Sequence, residues 1–155
     1  MALDLRQEIK QRKAFRSLEQ EAHLNVVRTA MGLMDAFDML MKPFGISAPQ
    51  YNVLRILQGA EPEGLCRNDL RSRLVRRMPD VTRLLDRMED AGLVSRSRDS
   101  DDRRLVSTRI TAKGLRLLEK LDGLVEKEHR QRLGHLSDAQ LHTLIELLTL
   151  VRQPP

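Results

Sequence analysis

Residues 65–114 decide the fold of this chain, and they read LCRNDLRSRLVRRMPDVTRLLDRMEDAGLVSRSRDSDDRRLVSTRITAKG. The apolar spacing predicts one helix over residues 67–74, a second over 79–91, and alternating strands over 94–98 and 105–110 joined by a charged tip. Two helices followed by an arginine-tipped hairpin can hold duplex DNA in two grooves at once. We therefore expect a winged helix-turn-helix in the middle of the chain.

The second of these helices has well-marked boundaries. Pro79 suits a first helical turn. Gly92 stands where a left-handed cap is expected, and Leu93 can pack back on Met88, as is usual beside such a cap. The inner, apolar face of this helix is predicted to consist of Val81, Leu84, Leu85, Met88 and Ala91.

Helices are also predicted before this segment. Residues 4–14 alternate in charge and suggest a frayed helix or an arm. A long helix over about 17–41 carries one apolar stripe and stops at Pro43. The next helix begins at Ser47, and Gln50 lies three residues on, as in a capping box.

Two more helices follow the hairpin. Thr111 caps a helix of about twenty residues, and Ser137 with Gln140 forms a capping box for the last one. The outer helices carry more apolar surface than one thin monomer covers, so we expect a homodimer. The expected fold is mainly α with a small β-hairpin. It is a single domain over residues 1–155, with the winged helix-turn-helix over about 47–111 and dimerisation helices over about 4–42 and 112–152.

Composition agrees with a helical, basic protein. Charged residues make up 32% of the 155 residues, hydrophobic residues 41% and aromatic residues 3%. The net charge of +5 and the isoelectric point of about 9.9 indicate a polyanionic partner, although many proteins this basic bind no nucleic acid. A single cysteine excludes an intrachain disulfide and fits a reducing compartment. No signal peptide and no membrane-length apolar run is visible, so we expect a cytoplasmic protein without a membrane partner.

The outward face of the helix over 79–91 is the predicted DNA-reading surface. Arg83 is expected to make a bidentate contact with guanine, and Thr82 to touch a thymine methyl group or a phosphate. Arg87 can reach a base or the backbone. Asp80 is expected to orient Arg83 or to stabilise the helix N-terminus rather than to contact DNA.

Arginine supplies all the positive charge around this face. Residues 66–104 contain eleven Arg, no Lys and eight acidic residues. A guanidinium fork matches phosphates and guanine edges, and arginine is favoured in narrow minor grooves. Any single arginine is as readily a solvated surface charge, but the whole set favours phosphate contacts. These contacts are expected from Arg67, Arg71, Arg73, Arg76 and Arg77 around the helix over 67–74, and from Arg96 and Arg98 on the first strand.

The hairpin tip has its own chemistry. Its three aspartates repel DNA unless they are paired, and Asp102 stands beside Arg103 and Arg104. We therefore expect an internal salt bridge that shapes the turn while one arginine projects outwards. The complete candidate set for DNA binding is Arg67, Arg71, Arg77, Pro79, Asp80, Thr82, Arg83, Arg87, Arg96, Arg98, Asp102, Arg103 and Arg104.

Three motifs together resemble the MarR family of bacterial transcriptional regulators: residues 78–94 (MPDVTRLLDRMEDAGLV), residues 101–106 (DDRRLV) and residues 110–114 (ITAKG). The resemblance extends at lower specificity over about residues 17–152. It implies an obligate dimer on a pseudo-palindromic operator, with the wing aspartate (Asp102) paired internally and a wing arginine (Arg103 or Arg104) in the minor groove. It also implies a small, often phenolic, effector, whose pocket residues no motif here identifies.

Cys66 leaves a redox-responsive regulator open as an alternative. It occupies the predicted N-cap of the helix over 67–74, with Asp69 in the capping-box position. A helix N-terminus beside Arg67 favours the reactive thiolate. The simpler interpretation is a small, partly buried cysteine tolerated at a cap.

Other functions have less support. His129 with Glu126 or Glu128, or His135 with His142, are candidate ligands of a metal-responsive regulator, but no HxxxH or CxxC spacing occurs. We expect no cofactor and no resident metal. An enzyme is not expected, because no nucleophile elbow, phosphate-binding glycine loop or zincin motif is present. An interaction module without DNA binding would more often expose aromatic side chains.

Overall fold

The computed structural model describes residues 3–98, 102 and 106–153. Within these residues the chain is mainly helical with a small sheet, as predicted. The elements are α1 (Leu5–Glu8), α2 (Leu18–Met41), a 3₁₀ turn (Lys42–Phe44), α3 (Ala48–Gln58), β1 (Leu65–Cys66), α4 (Arg67–Arg73), α5 (Val81–Asp90), β2 (Val94–Arg98), β3 (Val106–Ile110), α6 (Ala112–Leu133) and α7 (Asp138–Arg152).

The chain divides into two compact units, one running to Met39 and the other beginning at Leu40. In the first unit, Asp4 and Gln7 form a capping box that starts α1, so the arm contains one short helix. Most of α2 also belongs to this unit. Several large apolar side chains of α2 are exposed to solvent: Val26, Val27, Met31, Leu33 and Met39.

The second unit begins with a tight connection between α2 and α3. Gly45 ends the 3₁₀ turn with a φ of 70°, in the left-handed region that favours glycine. Ser47 and Gln50 form the predicted capping box of α3. The core of this unit comes from α3, α4, α5 and α6, and its fully buried side chains include Val53, Leu54, Leu57, Leu70, Leu85, Met88, Leu118 and Leu121.

The sheet has three antiparallel strands in the order β1-β3-β2, so the predicted two-stranded hairpin was incomplete. Leu65 of β1 pairs with Thr108 of β3. Gly64 precedes β1 with a φ of 77°, and a Cβ at this position would collide with the carbonyl oxygen of Thr108. Because Gly64 lacks a Cβ, the chain can lie against β3. A strand of two residues is too short to produce an alternation visible in the sequence.

The last helix, α7, has the predicted capping box of Ser137 and Gln140 but contributes no buried residue. Its apolar face is exposed: Ile145 is 60% exposed, Leu150 63% and Val151 69%. This apolar face has no partner among the residues that the structure describes. No helix in the described ranges combines the length and the apolar character that crossing a membrane requires.

Candidate nucleic-acid interface

Helix α5 presents one face to the core and the other to solvent. Val81, Leu84, Leu85 and Met88 are buried as predicted, whereas Ala91 is exposed. Thr82, Arg83 and Arg87 are exposed on the opposite face. The sequence therefore identified the outward residues correctly, and Ala91 was wrongly included because it lies one residue beyond the helix.

The N-terminus of α5 is capped by Asp80, whose carboxylate accepts a hydrogen bond from the backbone N–H of Arg83 at 2.9 Å. Asp80 thus stabilises the helix that carries Arg83, one of the two roles expected for it. Pro79 is exposed and precedes this cap, so the prediction that it occupies the first turn was wrong. The helix begins two residues later because Asp80 is its N-cap, and the Asp80 carboxylate accepts the N–H of Arg83.

A hydrogen bond joins the two helices of the helix-turn-helix. Nη1 of Arg67, the first residue of α4, donates to Oγ1 of Thr82 at 3.1 Å. Both side chains were predicted to contact DNA, and here they also hold each other. In the connection between the helices, the backbone N–H of Val75 donates to Oδ1 of Asn52 at 2.9 Å. Sequence reasoning missed Asn52, because a partner 23 residues away leaves no local pattern.

The C-terminus of α5 is fixed to the start of α6. Gly92 has a φ of 72°, and the N–H of Leu93 donates to the Met88 carbonyl at 2.9 Å, as the predicted left-handed cap requires. Thr111 caps α6 and also donates from Oγ1 to the Gly92 carbonyl at 2.6 Å. Lys113 Nζ donates to the Ala91 carbonyl at 2.7 Å. The C-terminal end of α5 is therefore held by the first turn of α6.

Arg96 of β2 is bound to α5. Its Nε donates to Oε2 of Glu89 at 2.9 Å, and its Nη2 lies 2.6 Å from Oδ1 of Asp86. The side chain of Arg96 is 24% exposed. We expected Arg96 to hold a phosphate, but its guanidinium is occupied by two carboxylates of the protein. This geometry favours a different role, in which Arg96 fixes the strand to the helix.

The same contacts affect the ionisation of Glu89. Hydrogen bonding from Arg96 is the main cause that holds the pKa of Glu89 below its ordinary value. The ion pair therefore favours the charged form of Glu89. Sequence reasoning missed Glu89. The carboxylates of Asp86 and Glu89 lie three residues apart on α5, and this spacing was a signal that a cation would lie between them.

Of the remaining predicted cations, Arg71, Arg73, Arg77 and Arg98 are exposed, whereas Arg76 is half-buried. Arg71 and Arg77 lie on and just after α4, and Arg98 ends β2. Asp102 is exposed and has an interaction partner. The predictions for Arg103 and Arg104 fall outside the residues that the structure describes.

Cys66 lies at the N-cap position of α4 but makes no side-chain capping hydrogen bond, and its thiol is free and half-buried. Of the predicted metal ligands, Glu126 pairs with Arg130 at 2.5 Å and Glu128 pairs with Arg132 at 2.7 Å. The described residues contain no group of three or more His, Cys, Asp or Glu side chains that could hold a metal ion.

An exposed arginine-bearing helix, capped at both ends and fixed to a three-stranded sheet, defines a winged helix-turn-helix DNA-binding protein. The model of the MarR family matches residues 46–106. A MarR transcription factor from Planctomyces limnophilus is 42% identical and superposes with a TM-score of 0.69, covering 88% of this chain and 99% of that one. The chain belongs to the MarR family, whose members are transcriptional regulators and not enzymes.

Other relatives agree with this assignment. The HTH-type transcriptional regulator TtmR of Methylorubrum extorquens is 37% identical over 70% of this chain, and the match spans 54% of TtmR. A variant of E. coli MarR complexed with operator DNA is 25% identical, with a TM-score of 0.75 over 97% of this chain and 100% of that one. Bordetella bronchiseptica BpsR, whose DNA binding is regulated by 6-hydroxynicotinic acid, shares the fold at 22% identity, with a TM-score of 0.77 over 92% of this chain and 100% of that one.

Proposed function

We propose that this chain acts as a homodimeric repressor that binds a pseudo-palindromic operator and is released by a small-molecule effector. The observation that carries the proposal is the outward face of α5, where Thr82, Arg83 and Arg87 are exposed on a helix held at both ends. A rigid helix presenting arginines suits the major groove, because its backbone needs no ordering when DNA binds.

Each group has a distinct role in this proposal. Arg83 reads a guanine, and Thr82, held by Arg67, touches a thymine methyl group or a phosphate. Arg71 and Arg77 neutralise phosphates, together with Arg98. Arg87 contacts a base or the backbone, and Arg103 or Arg104 enters the minor groove.

The dimer is supported by the exposed apolar face of α7. Five of its large apolar side chains, from Leu144 to Val151, are 37–69% exposed, and such a face on a protein surface usually marks an interaction site. A second copy of the same helix offers a matching surface under two-fold symmetry. In such a dimer the two copies of α5 would lie about one DNA turn, roughly 34 Å, apart.

Release by an effector is proposed as a population shift. In this proposal the dimer has two states, and the effector binds better to the state in which the two copies of α5 are wrongly spaced for the operator. Operator affinity then falls by an amount set by the difference between the effector's affinities for the two states. That BpsR is regulated by 6-hydroxynicotinic acid supports a small aromatic effector here. Because its proposed partner is operator DNA, we also propose that the protein works in the cytoplasm.

Two arginine substitutions test the proposed reading face. Arg83→Ala should lose about 1–3 kcal/mol of discrimination at one base pair per half-site, because the bidentate contact is removed. Arg71→Ala should weaken binding to all sequences about equally and make the salt dependence shallower. Binding is measured by gel-shift titration with DNA from upstream of the gene, at several salt concentrations.

The control is Lys127→Ala, which removes an equal charge from an exposed position of α6 outside the winged helix-turn-helix. It should bind like the parent. If Arg83→Ala and Arg71→Ala also bind like the parent, the residue assignments are wrong. If the parent binds no site more tightly than random DNA, the proposal of an operator-binding regulator fails.

A further inference from the structure

Arg55 of α3 is held in one orientation by its own helix. Its Nε donates to the hydroxyl of Tyr51 at 2.8 Å, and its Nη1 donates to Oε1 of Gln58 at 3.0 Å. The guanidinium carbon lies 5.3 Å from the centroid of the Tyr51 ring, within the range of a cation–π contact. The three side chains share one face of α3, because they are separated by four and three residues. The remaining nitrogen of the guanidinium, Nη2, is left to bind a residue outside α3.

That residue is Asp122 of α6. Nη2 of Arg55 donates to Oδ1 of Asp122, which lies 67 positions later in the chain. The two side chains are 32% and 56% exposed, and ion pairs at such positions usually add little stability. This pair differs from an ordinary surface pair, because a guanidinium already held by two neighbours loses little freedom when it binds a third. The contact therefore joins α3 to α6 in a defined geometry.

The pair lies where α6 leaves the core of the second unit. Val125 is the last buried residue of α6, and no residue from 126 to 133 is buried. Asp122 thus belongs to the last turn of α6 that packs on the core. Beyond this turn α6 leads to α7, whose exposed apolar face is the proposed dimer contact. The direction in which α6 leaves the core would therefore set the position of the second copy.

Helix α3 is also attached to the helix-turn-helix. The side chain of Asn52 on α3 accepts the backbone N–H of Val75, in the connection between α4 and α5, at 2.9 Å. One helix is therefore bonded on one side to the connection that precedes α5 and on the other side to α6. A change in the angle between α3 and α6 would move α5 relative to the dimer contact.

We propose that Arg55 and Asp122 are positioning residues that determine which distance between operator half-sites the dimer accepts. The inference rests on the proposed function, because it requires two copies on one operator. One base pair added between the half-sites moves one of them by about 3.4 Å and turns it by about 35° around the DNA axis. A dimer whose two copies of α5 are rigidly placed should discriminate against that change, and a dimer without the ion pair should tolerate it.

Gel-shift titrations with operators that carry one base pair inserted or deleted between the half-sites test the proposal on the full chain. The parent should bind the natural spacing at least tenfold more tightly than either altered spacing. Arg55→Ala and Asp122→Ala should each reduce this ratio at least threefold, mainly because the altered spacings bind better. Asp122→Glu keeps the carboxylate and should retain at least half of the ratio.

The matched control is Glu126→Ala. It removes another exposed ion pair of α6, but the partner of Glu126 is Arg130 on the same helix, so no second element is released. The spacing ratio should stay unchanged in this variant. If Arg55→Ala and Asp122→Ala bind all three operators with the ratio of the parent, the pair does not set the spacing and the proposal is overturned.

A second measurement needs no operator. In a Cys66→Ser background, a spin label on Asp90→Cys, at an exposed position of α5, reports the distance between the two copies by pulsed electron paramagnetic resonance. Arg55→Ala should broaden the distribution of this distance at least 1.5-fold, and Glu126→Ala should leave it unchanged. An unchanged distribution in Arg55→Ala overturns the positioning role while the dimer stands. If the parent shows no distance between copies, the proposed homodimer fails and the positioning role fails with it. If the parent dimer binds no operator, the proposed function fails, and the width of the distribution still decides whether the pair positions α5.

Discussion

Gly114 allows α6 to begin close to the end of α5, and replacing Gly114 with alanine tests this close approach. A Cβ at this position would lie 2.6 Å from the Leu93 carbonyl oxygen, 2.7 Å from Cγ1 of Ile110 and 3.2 Å from Cδ2 of Leu54. The first neighbour is backbone and cannot rotate away. The helices must therefore separate by several tenths of an ångström.

The size of the effect follows from these contacts. Overpacking of this kind costs about 1–3 kcal/mol, and the better helix propensity of alanine returns up to about 1 kcal/mol. We expect Gly114→Ala to lower the free energy of unfolding by about 1–2 kcal/mol. For a chain of this size that lowers Tm by about 2–8 °C.

Two glycines provide matched controls, because a Cβ at Gly32 or Gly123 would meet nothing within 4 Å. Both lie inside helices, so each alanine substitution should raise stability by about 0.5–1 kcal/mol. Tm is measured by circular dichroism at a fixed protein concentration, since the Tm of the proposed dimer would depend on concentration. If Gly114→Ala is as stable as the two controls, the close approach of α6 to the end of α5 is not present in solution.

Two further substitutions test the ion pair that attaches α5 to β2 and the N-terminal cap of α5. Because the pKa of Glu89 is depressed, its contribution to stability is present above its unfolded pKa and is lost as the pH falls through its lower, folded-state pKa. Glu89→Gln should therefore make the free energy of unfolding, measured by urea titration, less dependent on pH in the acidic range. An unchanged pH dependence would show that Arg96 does not pair with Glu89 in solution. Asp80→Ala should cost about 1 kcal/mol by removing the cap of α5, whereas Asp80→Asn should cost much less, and equal losses would exclude a capping role.

Local chemistry explains why much of the fold was predictable. The capping boxes at Ser47 and Ser137, the left-handed cap at Gly92 and the cap at Thr111 each depend on residues within a few positions of one another. Helical apolar periodicity likewise identified the buried and exposed faces of α5. These signals are carried by the sequence itself because both partners lie on the same element.

The contacts that the sequence did not reveal join distant elements. The ion pairs of Arg96 depend on the position of β2 beside α5, and β1 depends on pairing with a strand more than 40 residues later. An arginine facing DNA and an arginine facing a carboxylate look the same in a sequence. For this reason Arg96 was predicted to bind phosphate, whereas the structure places its guanidinium on Asp86 and Glu89.

Footprinting of the chain on its operator, combined with the salt dependence of binding, tests the central claim most directly. Two copies that each neutralise about three phosphates should give a slope of log Kobs against log salt of about −5, and hydroxyl-radical footprinting should show two protected half-sites about one helical turn apart. A slope near zero, or one protected site with one copy bound, would contradict a dimer that reads DNA through the exposed face of α5.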